Sequence, residues 1–292
     1  MRFGRPSVVA AAVSLLLVSL PAVSQDKFFD SQGVRIRYVE QGAGTAVVLI
    51  HGDGSTLQSW IDSGVLPDLA KDYRVIAFDA RGSGLSAKPH DARAYGREMG
   101  MDVVRLLDHL GIRKAHVIGY SMGAHITAQL LTLHPERFIT ATLGGAAGRW
   151  HWDDERNARA EQEASERERE CVSRSQIYRL APTNAPKPDE EAIKRLSAAC
   201  MANPDEDRFA RAARTRAQKD QLITPAQIAR VSVPTLAIVG NLDGYLSDFN
   251  ELKKMRQDVK LVVIDQATHG GPRGASLRPE FIRAVREFLA AN

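Results

Sequence analysis

Short apolar runs rich in β-branched residues alternate with stretches of helical period through most of this 292-residue chain, and that alternation narrows the possible folds more than any other feature. The runs lie at 34–39, 46–50, 74–78, 115–118, 138–143, 234–239 and 260–264. Several are nearly continuous in apolar character, as strands buried on both faces of a parallel sheet must be. Helical-period stretches fall at about 57–70, 94–110, 122–134, 246–257 and 278–290. The third is the clearest, with Ile126, Leu130 and Leu133 on one face and Pro135 ending it. Parallel neighbours need right-handed crossovers, so the pattern predicts a doubly wound, mostly parallel α/β sheet. Residues near 26–39 read as an antiparallel pair leading into it.

The alternation breaks between Gly148 and Val231, where the chain is polar, highly charged and without strand signals. Helix punctuation recurs instead. Pro188 precedes Asp189-Glu190-Glu191, with Lys194 and Arg195 a turn later. Asn203-Pro204 precedes Asp205-Glu206-Asp207, with Arg208, Arg211, Arg214 and Lys219 beyond, and Thr224-Pro225 opens a third short helix. Acids early and bases late complement the helix dipole, which accounts for these charges without a ligand. A basic patch from Arg208 to Lys219 that steers substrate is the competing reading. The chain thus divides into a core of residues 25–147 and 232–292 and an inserted helical lid of residues 148–231.

The first 24 residues stand apart. Arg2 and Arg5 precede an apolar run from Val8 to Leu20, then Pro21 and the small residues Ala22-Val23-Ser24. A positive start, a short apolar middle and a small-residue end predict a secretory signal peptide. The run is shorter than the roughly 20 residues of a spanning helix, so an uncleaved membrane anchor is the weaker alternative. Cleavage near Gln25 removes two arginines and no acid, lowering the formal charge from +4 to +2. The protein is expected to be exported, to the periplasm or the medium, with no stable membrane insertion afterwards. An oxidising compartment favours a disulfide between the only two cysteines, Cys171 and Cys200, over two buried free thiols. Their spacing fits no metal motif. With 39 basic against 35 acidic residues, charge does not point to a nucleic-acid partner.

Three loops at strand ends carry the chemistry. Gly119-Tyr120-Ser121-Met122-Gly123 joins a buried strand to the clearest helix. A serine at such a turn takes a strained backbone that lifts its hydroxyl above the sheet, and the helix N-terminus behind it favours developing negative charge. Ser121 is therefore the candidate nucleophile. Such a hydroxyl needs a base, and the base an orienting carboxylate. The strand at 234–239 runs into Gly240-Asn241-Leu242-Asp243, and that at 260–264 into Asp265-Gln266-Ala267-Thr268-His269. Both loops leave the carboxyl edge of the sheet, where α/β proteins bind ligands. His269 is the expected base and Asp243 the expected acid, with Asp248 a rival inside the following helix. After the strand at 46–50 comes His51-Gly52-Asp53-Gly54-Ser55. The backbone N–H groups of Asp53 and Met122 would form the oxyanion hole, and His51 would buttress the loop.

These motifs resemble the α/β-hydrolase fold family, in its serine hydrolase, esterase-like branch, over about residues 26–292. The turn Asp79-Ala80-Arg81-Gly82-Ser83-Gly84-Leu85-Ser86 resembles that family's D-x-R-G-x-G-x-S turn, so a structural role is implied for it. The resemblance also implies a lid after the strand that follows the nucleophile helix and a pocket between lid and sheet. With Ser121 where epoxide hydrolases and haloalkane dehalogenases carry aspartate, those activities are disfavoured. Asp53 stands where relatives often carry an apolar residue or glycine. Its carboxylate is expected to turn away from the oxyanion, the alternatives being that it is neutral or that it meets a cationic part of the substrate.

The expected reaction is cleavage of a carboxylic ester of a small or medium molecule through an acyl-enzyme, with no metal and no organic cofactor. The same triad could serve C–C bond hydrolysis or perhydrolysis, and a non-catalytic ligand-binding member of the fold is the remaining alternative. Trp60, Trp150 and Trp152 flank the oxyanion loop and the lid entrance, where lining an apolar substrate pocket and packing lid to core are equally good readings.

Overall fold

The computed structural model describes residue 1 and residues 25–292, apart from 183 and 185. The expected export signal, residues 1–24, falls outside them but for its first residue. Among the described residues the first elements are the antiparallel pair β1 (Lys27–Ser31) and β2 (Val34–Gln41), followed by β3 (Ala46–Ile50) at the sheet centre. Two short helices follow, α1 (Gln58–Asp62) and α2 (Val65–Leu69), then β4 (Arg74–Phe78), α3 (Arg97–His109), β5 (Ala115–Tyr120), α4 (Met122–Leu133) and β6 (Phe138–Gly144). Five helices come next: α5 (Asp154–Glu170), α6 (Arg174–Arg179), α7 (Glu190–Ala202), α8 (Arg208–Arg216) and α9 (Pro225–Ala229). The core resumes with β7 (Thr235–Gly240), α10 (Leu246–Met255), β8 (Lys260–Ile264) and α11 (Pro279–Ala290).

The strands form one eight-stranded sheet in the order β1-β2-β4-β3-β5-β6-β7-β8, antiparallel where β2 meets β1 and β4 and parallel elsewhere. The fold is therefore the expected mostly parallel α/β sheet with a helical insertion after β6. Every residue of β3, β5 and β7 is buried, which is why these strands read as unbroken apolar runs. Two apolar layers sandwich the sheet. One includes Met99, Val103, Leu107, Ile126 and Leu130 from α3 and α4, with Phe249 and Leu252 from α10. The other includes Trp60, Leu66 and Leu69 with Phe281, Val285 and Phe288 of α11.

Two local expectations change, and one helix of the insertion had no expectation at all. The helical period at 57–70 is broken at Gly64, whose φ of +78° ends α1 and starts α2 as a separate turn. Asp205 and Glu206 lie ahead of α8 rather than in its first turn, because Asp207 is the N-cap, accepting from the N–H groups of Phe209 and Ala210. The longest helix of the insertion, α5, had no apolar signature, since its only apolar side chains are Ala158, Ala160 and Ala164. Among the described residues no helix is long and apolar enough to cross a membrane.

Cys171, the left-handed C-cap of α5, is bonded to Cys200 of α7 at a Cα separation of 5.8 Å. The bond spans 29 positions, a loop whose closure is worth about 3–4 kcal/mol in the unfolded chain. Replacing both cysteines with alanine should lower the denaturation free energy by about that amount. Reductant should do the same to the parent protein and nothing to the double variant.

Candidate active site

The turn after β5 is built by the backbone. Ser121 has φ +53° and ψ −110°, a conformation rare for a residue with a Cβ. Its two flanking glycines are required by close approach. A Cβ on Gly119 would sit 2.2 Å from the carbonyl oxygen of Gly123, and one on Gly123 would sit 2.1 Å from that of Ile50. The Ser121 N–H donates to the Gly144 carbonyl at 2.7 Å, fixing the turn against β6.

The loops after β7 and β8 reach this turn from the other side. The N–H groups of Asn241 and Leu242 donate to the carbonyls of Ile264 and Ala267 at 3.0 Å each. Tyr120 donates its hydroxyl to the His269 carbonyl at 2.6 Å. Ser121 Oγ and His269 Nε2 are 2.8 Å apart, and His269 Nδ1 lies 2.9 Å from Asp243 Oδ2. The other oxygen of Asp243 accepts the Tyr245 N–H at 2.9 Å. Residues from three loops, up to 148 positions apart, thus form one line of hydrogen bonds. Asp248 lies on α10 and takes no part in it.

Behind this line the β4 turn is structural, as its motif implied. The two Asp79 oxygens accept the N–H groups of Leu57 and Leu85 at 2.8 and 2.9 Å, and Arg81 forms a buried ion pair with Asp102 at 2.6 Å. His51 ties the neighbouring loop down: Nδ1 donates to the Gly52 carbonyl at 2.7 Å and Nε2 accepts the Ala80 N–H at 3.0 Å. Burial lowers the His51 pKa, in keeping with this neutral, doubly engaged ring.

Asp53 and Met122 both line a small chamber with Ser121. The Asp53 carboxylate is directed at the lid. Oδ2 lies 2.8 Å from Arg167 Nη2 and 3.5 Å from Arg211 Nη2, and Oδ1 lies 2.5 Å from Arg214 Nη2. Burial by itself would raise its pKa, but the three guanidinium groups more than offset this and hold it well below the usual carboxylate range. So Asp53 is ionised and clamps α5 and α8 to the loop after β3. This also accounts for three of the bases between 208 and 219: Arg211 and Arg214 serve the clamp, and Arg216 pairs with Glu161 and Glu168 of α5.

Asp53→Ala leaves Arg167 and Arg214, only 1% and 5% exposed, without their carboxylate. A loss on the order of 3 kcal/mol is expected in denaturant, with Asp53→Asn losing less. The folded pKa lies below the unfolded one, so the clamp's contribution is complete above about pH 4 and fades only as pH falls through the depressed folded value.

The three tryptophans separate. Trp60 is buried against Phe281 and lines a cavity of about 270 Å³ beside Ser121 and His269. Trp150 does not line a pocket at Ser121. It is a packing residue, buried in the α3/α4 layer and donating Nε1–H to Glu251 at 2.9 Å. Trp152 lines a chamber under the lid, but a charged one, shared with Arg149, Arg156, Arg159, Arg179 and Glu163. Of the two readings held open for Trp152, the apolar pocket is thus not what surrounds it. The sequence reading also missed His125, Arg149, Arg179 and Tyr245, which line the chamber at Ser121. The first had a usable signal, since it lies one helical turn after Ser121 on α4; the arginines had none within a uniformly charged insertion.

With this geometry in hand, the chain is identified: residues 45–271 match the family model for the alpha/beta hydrolase fold, and the protein belongs to that family. It is similar to 2-hydroxymuconate semialdehyde hydrolase of Pseudomonas sp. (strain CF600), 41% identical over 118 residues, covering 40% of this chain and 41% of that one. It is also similar to 3-oxoadipate enol-lactonase 1 of Acinetobacter baylyi, 30% identical over 175 residues, covering 60% and 63%. In both cases the matched stretch spans less than two thirds of the relative's length. Among solved structures, a hydrolase from Pseudomonas aeruginosa superposes with a TM-score of 0.67 at 26% identity, covering 91% of this chain and 99% of that one.

Proposed function

We propose that the protein is a serine hydrolase that cleaves a carboxylic ester of a small or medium molecule. The observation that carries this reading is the unbroken relay from Ser121 through His269 to Asp243 at 2.8 and 2.9 Å. Ser121 Oγ attacks the carbonyl carbon while His269 Nε2 takes its proton, and Asp243 holds the imidazole with Nδ1 protonated. The oxyanion is received by the N–H groups of Asp53 and Met122. His269 then returns the proton to the leaving alcohol as the C–O bond breaks, and activates water to release the acid from Ser121.

The relative that hydrolyses 2-hydroxymuconate semialdehyde supports a second reading, in which the same three residues hydrolyse a C–C bond. Sustained hydrolysis of p-nitrophenyl acetate, butyrate and octanoate by residues 25–292 is the expected result and ranks acyl length. Turnover of a vinylogous keto acid with none of the three esters would move the assignment to C–C hydrolysis. We further propose that residues 1–24 direct export and are removed near Gln25. N-terminal sequencing of secreted material beginning at residue 1 would contradict that.

A further inference from the structure

We infer that the acyl part of the substrate carries a carboxylate, which Arg149 receives in the chamber between α4 and the lid; the inference rests on the ester-hydrolase reading and specifies its substrate. Two spaces open from Ser121. The cavity of about 270 Å³ is lined by His269 and by the loop that follows it, through Gly270, Gly271 and Leu277. Since His269 must protonate the leaving alcohol, that space takes the alcohol. Its wall carries one carboxylate, Asp53, already committed to the lid arginines.

The second space begins at Ser121 and Met122 and continues outward, sharing His125, Arg149, Arg179 and Tyr245 with an outer chamber of about 170 Å³. It lies on the acyl side and is cationic. In the outer chamber Arg149, Arg156, Arg159 and Arg179 face Glu163 and Asp248, and the inner part adds Asp53, which is committed to the lid arginines. Arg179 is accounted for, bonded to Glu163 and to the Tyr245 hydroxyl at 2.9 Å each. Arg214, at the inner wall, is bonded to Asp53 and to Ser83 Oγ at 2.8 Å.

Arg149 differs. Its Nε is buried with no hydrogen-bond partner, and no carboxylate among the described residues forms an ion pair with it. Its backbone carbonyl accepts the Ile223 N–H at 2.8 Å, which ties the backbone of the segment after β6 to the end of the lid. Burial lowers its pKa to about 10, which still leaves it charged at neutral pH. The neighbouring His125 adds no second cation, since burial, then Arg149 and His269, hold its imidazole well below the ordinary value. Arg149 is partly exposed to the chamber, its buried Nε lacks an acceptor, and the fork of donors on a guanidinium matches a carboxylate. A hemi-ester of a short dicarboxylic acid meets both spaces: a neutral alcohol by Trp60, the ester at Ser121 and the free carboxylate at Arg149.

The test compares p-nitrophenyl hydrogen glutarate with its uncharged counterpart, p-nitrophenyl methyl glutarate, on the mature protein. The expected kcat/KM preference for the acid is about 10- to 100-fold, the usual worth of a charge-assisted hydrogen bond. That preference should collapse in Arg149→Gln, with Arg149→Lys recovering part of it. Equal rates for the two esters in the parent protein would overturn the inference while leaving ester hydrolysis intact. If neither ester is turned over, the hydrolase reading fails separately, and calorimetry decides the subsite: glutarate, but not its dimethyl ester, should bind the Ser121→Ala protein, and absence of binding would overturn the inference.

Discussion

Ser121→Ala should lower kcat/KM for every ester by a factor on the order of 10⁴–10⁶ while leaving the fold unchanged. The size of this loss follows from the relay. In the proposed mechanism Ser121 is the only member that forms a covalent bond to the substrate, and once its oxygen is gone His269 has no proton to take. The fold is expected to tolerate alanine because the turn is held by the backbone, through the Ser121 N–H to the Gly144 carbonyl at 2.7 Å and the close approach of Gly119 to Gly123. The φ of +53° is kept by either side chain. Rates on the three p-nitrophenyl esters, with thermal melts of both proteins, check this. Residual turnover within tenfold of the parent would mean that another group attacks.

Asp243→Asn should cost on the order of 10⁴ in kcat. The Tyr245 N–H, 2.9 Å from Asp243 Oδ1, needs an acceptor, so the amide oxygen of asparagine takes that place and its NH₂ turns to His269. The imidazole must then accept at Nδ1 and carry its proton on Nε2, facing Ser121, where it can no longer receive the serine's proton. Glutarate binding to the variant should persist, which separates this tautomer effect from loss of the pocket. A loss of less than about tenfold would show that the carboxylate does not set the tautomer.

The core of this protein was legible because its physics is local. Strands such as β3 and β7 are buried on both faces and read as unbroken apolar runs. The turn at Ser121 announces itself through glycines that close approach demands. Chain order then brings Asp243 and His269 to the same edge of the sheet. The insertion was only partly legible. Helices α7 and α9 carry their caps in sequence, Asp189 and the Thr224/Gln227 box. Helix α5 is held by ion pairs and by Arg167 reaching Asp53, 114 positions away, an arrangement that no periodicity reveals. Asp53 signalled, as a departure from its relatives, that a carboxylate needed an explanation. What explained it was three arginines of the lid, and only the folded chain shows that they converge.

The central claim is that Ser121 is an activated nucleophile, and covalent trapping tests it most directly. Intact-mass spectrometry after exposure to a fluorophosphonate should show one adduct per chain, mapped to Ser121. The adduct should be absent in Ser121→Ala and form far more slowly in Asp243→Asn. No adduct on the parent protein, or one that persists after Ser121 is removed, would contradict the account.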